Sequence, residues 1–235
     1  MVVHAVIDFD DTLSSVNVAT QLFRRFTDEK AVQEIRSSYV SGEITFREYQ
    51  EKCFDLFEVG VGEISAAAKS EVSLRDGTPE LISTIKDQGG KSVIATAGLD
   101  FYVNPVLSKA GLRDLEVHSG KITDGSPDLP PFRYDYPSAN SPGTKGGCLG
   151  DWVTCKCRVV SDLQHENPDD EIIFVGDGLA GDSCVAENVE VTIFATGRLK
   201  KFCQAKEITF REFDDNFVPV INYINATITT NREER

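Results

Sequence analysis

Asp8 and Asp10 stand two residues apart at the end of an apolar run, and Asp177 and Asp182 bracket the glycines of Gly176-Asp177-Gly178-Leu179-Ala180-Gly181-Asp182. Carboxylates are the side chains that attack as nucleophiles, move protons and hold hard cations. Between these two acidic pairs, Thr96 closes the run Ser92-Val93-Ile94-Ala95, and Lys156 lies between Cys155 and Cys157. The acidic pairs and Thr96 each follow a short apolar segment of strand character. If those segments lie parallel in one sheet, the residues that follow them meet on one edge. Two carboxylate pairs so placed repel each other unless a cation joins them. The cluster therefore reads as a site for an oxygen-loving ion such as magnesium.

The elements that must position these groups are legible in outline. Val2 to Phe9 is apolar and β-branched nearly throughout, the pattern of a central strand buried on both faces. Thr20 to Phe57 changes to helical spacing, with Leu22, Phe23 and Phe26, then Val32, Ile35 and Tyr39, then Phe46, Tyr49, Cys53 and Phe57. Gly42 divides this stretch, and Thr45 followed by Glu48 predicts a capping box. Thr78-Pro79-Glu80 predicts a helix with Thr78 as its cap, stopped by Gly89-Gly90. A strand over Ser92-Ala95 and a helix from Phe101 to Ala110 follow, then short extended structure over Val117-Thr123. Pro127 to Gly150 is rich in Pro, Gly and Ser and predicts a long loop. A helix over Trp152-Leu163 and strands over Ile172-Val175 and Val189-Phe194 complete the pattern. This alternation predicts an α/β fold with a doubly wound parallel sheet.

Composition narrows the function classes. The 235 residues carry 38 acidic against 24 basic side chains, a formal net charge of -14. Such a chain is poorly suited to nucleic acid or an anionic membrane surface, so a small partner is expected. No run approaches the roughly 20 apolar residues of a membrane-spanning helix, and no basic region precedes the first apolar segment, so a cytoplasmic protein is expected. The six cysteines are dispersed, which favours reduced thiols; Cys148, Cys155 and Cys157 lie close together but have no histidine at a familiar zinc spacing.

Asp8-Phe9-Asp10-Asp11-Thr12-Leu13 resembles the first motif of haloacid dehalogenase superfamily phosphatases, and Thr96-Ala97-Gly98 resembles the second. Lys156 matches the lone lysine of the third. Lys145 in Gly143-Thr144-Lys145-Gly146 competes for that place, but Lys156 leads into a helical pattern about where the family has it. Gly176 to Asp182 resembles the fourth motif. The resemblance covers nearly the whole chain and implies a Rossmann-like catalytic core over residues 1-15 and 74-235, with a small α-helical cap inserted over residues 16-73. It implies a phosphoric monoester hydrolase in which Asp8 is the nucleophile and Asp10 the general acid and base. Thr96, Ala97 and Lys156 would hold the phosphate. Magnesium (Mg2+) would be bound by Asp8, Asp10 through its carbonyl, and Asp177, with Asp182 a ligand or an anchor through water.

A cap that encloses the site implies a small phosphorylated metabolite as substrate. The chain resembles phosphoserine phosphatases and, around Asp135-Tyr136-Pro137 and on to Cys155-Lys156, the phosphatases of methionine salvage and of sugars or polyols. Two departures argue against phosphoserine: Asn17 stands where that family holds the substrate amine with an acid, and Cys53 where it holds the carboxylate with an arginine, although Arg47 is nearby. Asn17, Gln21, Tyr49, Tyr134 and Tyr136 are candidates to hydrogen-bond a hydroxylated leaving group. The alternatives are a phosphotransferase or phosphomutase with the same intermediate, or a silent binding protein on the same fold.

Overall fold

A computed structural model describes residues 1–139 and 150–233. Lys145 and Cys148 lie outside the described residues, as does most of the second half of the expected loop. The chain begins with β1 (Val3–Ile7), every residue of which is buried. It then runs through α1 (Val18–Phe26), α2 (Glu29–Ser41), α3 (Phe46–Phe54), α4 (Val61–Glu71) and α5 (Thr78–Asp87) to β2 (Ser92–Leu99). After it come α6 (Asp100–Lys109), β3 (Glu116–Ile122), β4 (Tyr134–Asp135), α7 (Lys156–Glu166) and β5 (Glu171–Gly176). The chain ends with α8 (Asp182–Asn188), β6 (Thr192–Ala195), α9 (Gly197–Ala205), β7 (Arg211–Glu212) and α10 (Val218–Glu233).

The strands form one sheet in the order β4-β3-β2-β1-β5-β6-β7, parallel except where β4 pairs antiparallel with β3. Successive side chains of β1 and β5 enter opposite layers, as the strand period requires. Val3, Ala5, Ile7, Ile173 and Val175 join one apolar cluster with residues of α5, α6 and α10. Val6, Ile172 and Phe174 join a second with residues of α7, α8 and α9. Helices thus cover both faces, which is why β1 and β5 read as unbroken apolar runs. From β1 the chain builds outward through β2 and β3 on one side, then crosses to β5 on the other. The crevice beyond the carboxyl ends of β1 and β5 is the topological switch point, the place where such sheets hold ligands.

Three local expectations are revised, and the extended structure expected over Val117–Thr123 is borne out. Gly77, at φ +83, caps α5, while Thr78 is its first residue and donates its hydroxyl to the Arg75 carbonyl at 2.6 Å. Strand β2 continues past Ala95 to Leu99 with an irregular register there, so Thr96 sits in a bulge rather than at a strand end. The segment Val117–Thr123 is largely a full sheet member, β3. Helix α7 starts at Lys156, not Trp152, and this puts the lysine in the first helical turn. The capping box forms as expected, with Thr45 and Glu48 bonded reciprocally at the start of α3.

Between β1 and α1, Phe9–Leu13 forms a single wide turn closed by a 2.8 Å bond from the Ser14 amide to the Phe9 carbonyl. Asp11 takes φ +58 there, a left-handed conformation that aspartate tolerates better than most residues. Arg75 holds the turn: its guanidinium donates to the carbonyls of Asp11, Thr12 and Asp214. Replacing Arg75 by Ala should lower unfolding stability by about 2 kcal/mol, the scale of lost charge-assisted hydrogen bonds. Urea denaturation measures this, and an unchanged midpoint would show that the turn holds its shape unaided.

Candidate active site

Asp8 follows β1 directly, and its amide bonds to the Val175 carbonyl of β5, so the carboxylate stands at the switch point. It is buried, and its Oδ1 accepts from the Lys156 Nζ at 2.5 Å. The same ammonium donates to Asp182 Oδ1, and Asp182 Oδ2 accepts from the Gly178 amide at 2.9 Å. Thr12 lies between the two acidic motifs, its hydroxyl 3.3 Å from Asp8 Oδ2 and 3.2 Å from Asp177 Oδ1. Lys156 is 2% exposed, a depth at which an ammonium persists only when paired. Gly181, whose φ of +88 disfavours other residues, packs its backbone against the lysine stem.

Burial pushes the Asp8 and Asp177 carboxyls above their ordinary range; Lys156 opposes this at Asp8, and the neighbouring carboxylates add to it at both. Asp10 is pushed up to about 7 by burial and then by the charge of Asp8. For Lys156, burial works against the charge, yet the carboxylates of Asp182 and Asp8 outweigh it and hold the ammonium above its usual value. A cluster with more acid than its one lysine can neutralise is a fit for a divalent cation. Asp8, Asp177 and Asp182 each bring a carboxylate oxygen within 4.8 Å of the others. Asp182 already spends both oxygens on Lys156 and Gly178, which makes it an anchor more than a ligand. The Asp10 carboxyl turns to the Val18 amide at 2.6 Å and the Tyr102 hydroxyl at 3.1 Å, so its main-chain carbonyl is the group it could offer a cation.

Asp8, Asp10, Thr96, Ala97, Lys156, Asp177 and Asp182 line one cavity of about 400 Å³. The opposite wall is aromatic and comes from α1 to α3: Phe23, Tyr39, Phe46 and Tyr49. Asn17 also lines it, although its Oδ1 is engaged in capping α1 through the Thr20 amide at 2.9 Å. Gln21 is not among the described residues that line the cavity. Tyr134 and Tyr136 are not among them either, because their hydroxyls donate to Asp55 and Glu51 of the helical segment at 3.2 and 2.6 Å. Arg47 is likewise engaged elsewhere, donating to the Trp152 carbonyl at 2.7 Å and pairing with Asp151 at 3.1 Å. Cys53 is buried in the apolar core.

Several lining or supporting residues lay outside the sequence reading. Gln50 donates to the Ala97 carbonyl at 2.9 Å, joining α3 to the bulge of β2, and it sits one residue from the expected Tyr49. Thr12 was visible within the first motif but was given no role of its own. Arg36 and Arg198 bring positive charge to the cavity from α2 and α9, and no local pattern marks either of them.

The haloacid dehalogenase-like hydrolase family model matches residues 5–186. The chain belongs to that family. It is 26% identical over 215 residues to a 2-hydroxy-3-keto-5-methylthiopentenyl-1-phosphate phosphatase of Exiguobacterium sp., spanning 91% of this chain and 94% of the relative. It is 24% identical to a phosphoserine phosphatase of Archaeoglobus fulgidus over 50% of this chain and 36% of that one. Among solved structures, a substrate-bound phosphoserine phosphatase superposes with a TM-score of 0.66 at 17% identity, covering 94% of this chain and 97% of that chain. The chain is thus a family hydrolase with the fold of the phosphoserine phosphatases, and both of these relatives are phosphatases. No helix of the described residues is long and apolar enough to cross a membrane.

Two measurements probe the buried charges of this hydrolase. Lys156→Ala strands two carboxylates and should cost about 3–5 kcal/mol of stability at pH 8, and less at pH 5, where a proton on Asp8, whose carboxyl burial pushes up to about 6, stands in for the lysine. An equal loss at both pH values would mean that the carboxylates are not what Lys156 holds. The second uses the metal-free protein. Folded Asp10 keeps its proton up to about pH 7, while the unfolded group releases it near 3.8. The folded state therefore binds more protons within that window, and the melting temperature in EDTA should fall as pH rises through it. Magnesium favours the deprotonated carboxylates, so it should raise the melting temperature more at pH 8 than at pH 5.

Proposed function

We propose that this chain is a magnesium-dependent phosphatase that hydrolyses a small cytoplasmic phosphomonoester through an aspartyl-phosphate on Asp8. The observation that carries this reading is the buried Asp8–Lys156 pair at the floor of a cavity that Asp10 and Thr96 also line. Asp8 attacks phosphorus, and the ester oxygen departs as its bond to phosphorus breaks. Asp10, whose raised pKa keeps a proton available near neutrality, gives that proton to the departing oxygen. It then takes a proton from the water that hydrolyses the acyl phosphate, returning Asp8 to a carboxylate. Lys156 stays charged throughout and neutralises anionic oxygen beside Asp8. The Thr96 hydroxyl accepts from the Gly98 amide at 2.9 Å, which leaves its own hydrogen for a phosphate oxygen. Held by Asp8, Asp177 and the Asp10 carbonyl, magnesium would supply the positive charge that lets two anions meet and that offsets charge on the transferring group.

In this reading residues 16–73 are a cap over the site. An antiparallel bridge between Ser14 and Leu74 and a 3.0 Å bond from the Ser15 amide to the Ser73 carbonyl, where the chain leaves and re-enters the core, support these boundaries. The cap wall also supports a choice of leaving group. It offers Tyr49, whose hydroxyl burial pushes up to about 12, and no arginine fork at Cys53, while Arg47 is tied to Trp152 and Asp151. Aromatic surface with a few hydroxyls and one guanidinium, Arg36, but no carboxylate among the described lining residues of α1–α3 to hold an ammonium, suits a hydroxylated carbon chain better than an amino acid. That preference is in keeping with the keto- and hydroxy-substituted phosphate in the name of the Exiguobacterium relative. Arg36 and Arg198 would help draw a phosphate into a chain of net charge -14.

The test is phosphate release from p-nitrophenyl phosphate, phosphoserine, and keto-sugar and polyol monophosphates. It is run with magnesium or EDTA, for the wild type and Asp8→Asn. Release should need magnesium, fall on the order of a thousandfold or more in Asp8→Asn, and favour a polyol or keto-sugar ester over phosphoserine. A folded protein that releases phosphate from none of these esters would refute the phosphatase reading. A preference for phosphoserine would refute the choice of leaving group alone.

A further inference from the structure

Asp10 has its two carboxyl oxygens gripped from different parts of the fold. Oδ1 accepts from the Val18 amide at the start of α1, 2.6 Å away, and Oδ2 accepts from the Tyr102 hydroxyl, 3.1 Å away. The two bonds fix the plane of the carboxyl, since neither oxygen can rotate without losing a donor. Tyr102 is fully buried on α6. Its ring lies among Phe9, Phe54 and Phe101, with centroids 6.5, 6.1 and 5.6 Å away, so the phenol has one direction in which to point. Gly98 clears its path, because a Cβ at that position would stand 2.5 Å from the Tyr102 oxygen. The bulge of β2 that presents Thr96 thus also opens the channel through which the tyrosine reaches the acid. A buried phenol needs an acceptor, and the one this hydroxyl finds is a carboxylate oxygen of Asp10 rather than a backbone carbonyl.

We infer that Tyr102 is a positioning residue for proton transfer: its hydroxyl holds the Asp10 carboxyl in the orientation that delivers a proton to the departing ester oxygen. The inference rests on the proposed acid role of Asp10 and deepens it. Asp10 makes the new O–H bond to the leaving group as the P–O bond breaks. Tyr102 donates its hydrogen bond throughout and neither gains nor loses a proton. Phe54 belongs to α3, so the same ring stack also joins the helical segment to α6.

The discriminating experiment is a leaving-group comparison, measured as kcat/KM for phenyl phosphate and p-nitrophenyl phosphate with magnesium. The two esters have nearly the same shape. Phenol resembles the tyrosine side chain, with a pKa of about 10, and needs a proton to depart, whereas nitrophenolate leaves readily without one. The wild-type enzyme, Tyr102→Phe and Asp10→Asn are compared, with melting temperatures to show that each is folded. Tyr102→Phe should lower the ratio of phenyl to p-nitrophenyl phosphate by about tenfold, and Asp10→Asn by about a hundredfold or more. A purely structural role for the hydroxyl would lower both rates together. A ratio that falls in Asp10→Asn but is unchanged in Tyr102→Phe overturns this inference and leaves the acid reading standing. A ratio unchanged in both overturns the acid role of Asp10, and the inference with it.

Discussion

The site is organised around one buried cation. Lys156 lies with almost no exposure between Asp8 and Asp182 and pairs with both, so three buried charged groups are held in one contact. Much of the surrounding architecture serves this contact. The first turn of α7 brings the ammonium under the carboxyl ends of β1 and β5, and Gly181, at φ +88, turns the chain beside the lysine stem. The Gly178 amide fixes the far side of Asp182. The arrangement still holds more negative charge than one lysine neutralises. Asp177, joined to Asp8 through the Thr12 hydroxyl, stands with its acidity depressed by burial and by its neighbours. That surplus of negative charge is the physical reason for a divalent cation in the proposed mechanism.

The helical segment is part of the same packing problem. Phe23, Phe54, Phe57 and Ile64 share one continuous apolar cluster with Phe9, Phe101 and Tyr102 of the core. At the opposite side, Arg47, Glu51 and Asp55 of the segment bond to Trp152, Tyr136 and Tyr134. Gln50 reaches the carbonyl of Ala97 beside Thr96. The wall that meets a leaving group and the groups that would act on phosphorus are therefore held by overlapping sets of contacts. Gln50 thus joins the segment to the bulge of β2, and Phe54 joins it to Tyr102, whose hydroxyl bonds Asp10.

The chemical groups and their order were legible in the residues, and so were the central strands, because acid after a buried apolar run is a local pattern. The capping box of α3 was legible for the same reason: its two bonds join residues three apart. The start of α7 was misplaced because Trp152 continues the apolar spacing of the helix, while its carbonyl is in fact engaged by Arg47 from a distant element. Thr78 was read as a cap by its type, but a glycine at positive φ just before it already turned the chain. Tyr134 and Tyr136 looked like substrate contacts only because their partners, Asp55 and Glu51, lie about 80 residues earlier in the chain.

By itself the sequence determined which groups this protein has for chemistry, the α/β alternation that gathers them, and the place of the helical segment between β1 and β2. Those features are written in residue type and short-range periodicity, which act within a few residues of the chain. Only the tertiary structure decided how the groups are spent. It pairs Lys156 with Asp8 and Asp182, turns the Asp10 carboxyl toward Tyr102, withdraws Arg47, Tyr134 and Tyr136 from the cavity, and brings Arg36 and Arg198 to it. These outcomes depend on burial and on contacts between residues tens of positions apart, for which a single chain carries no local mark.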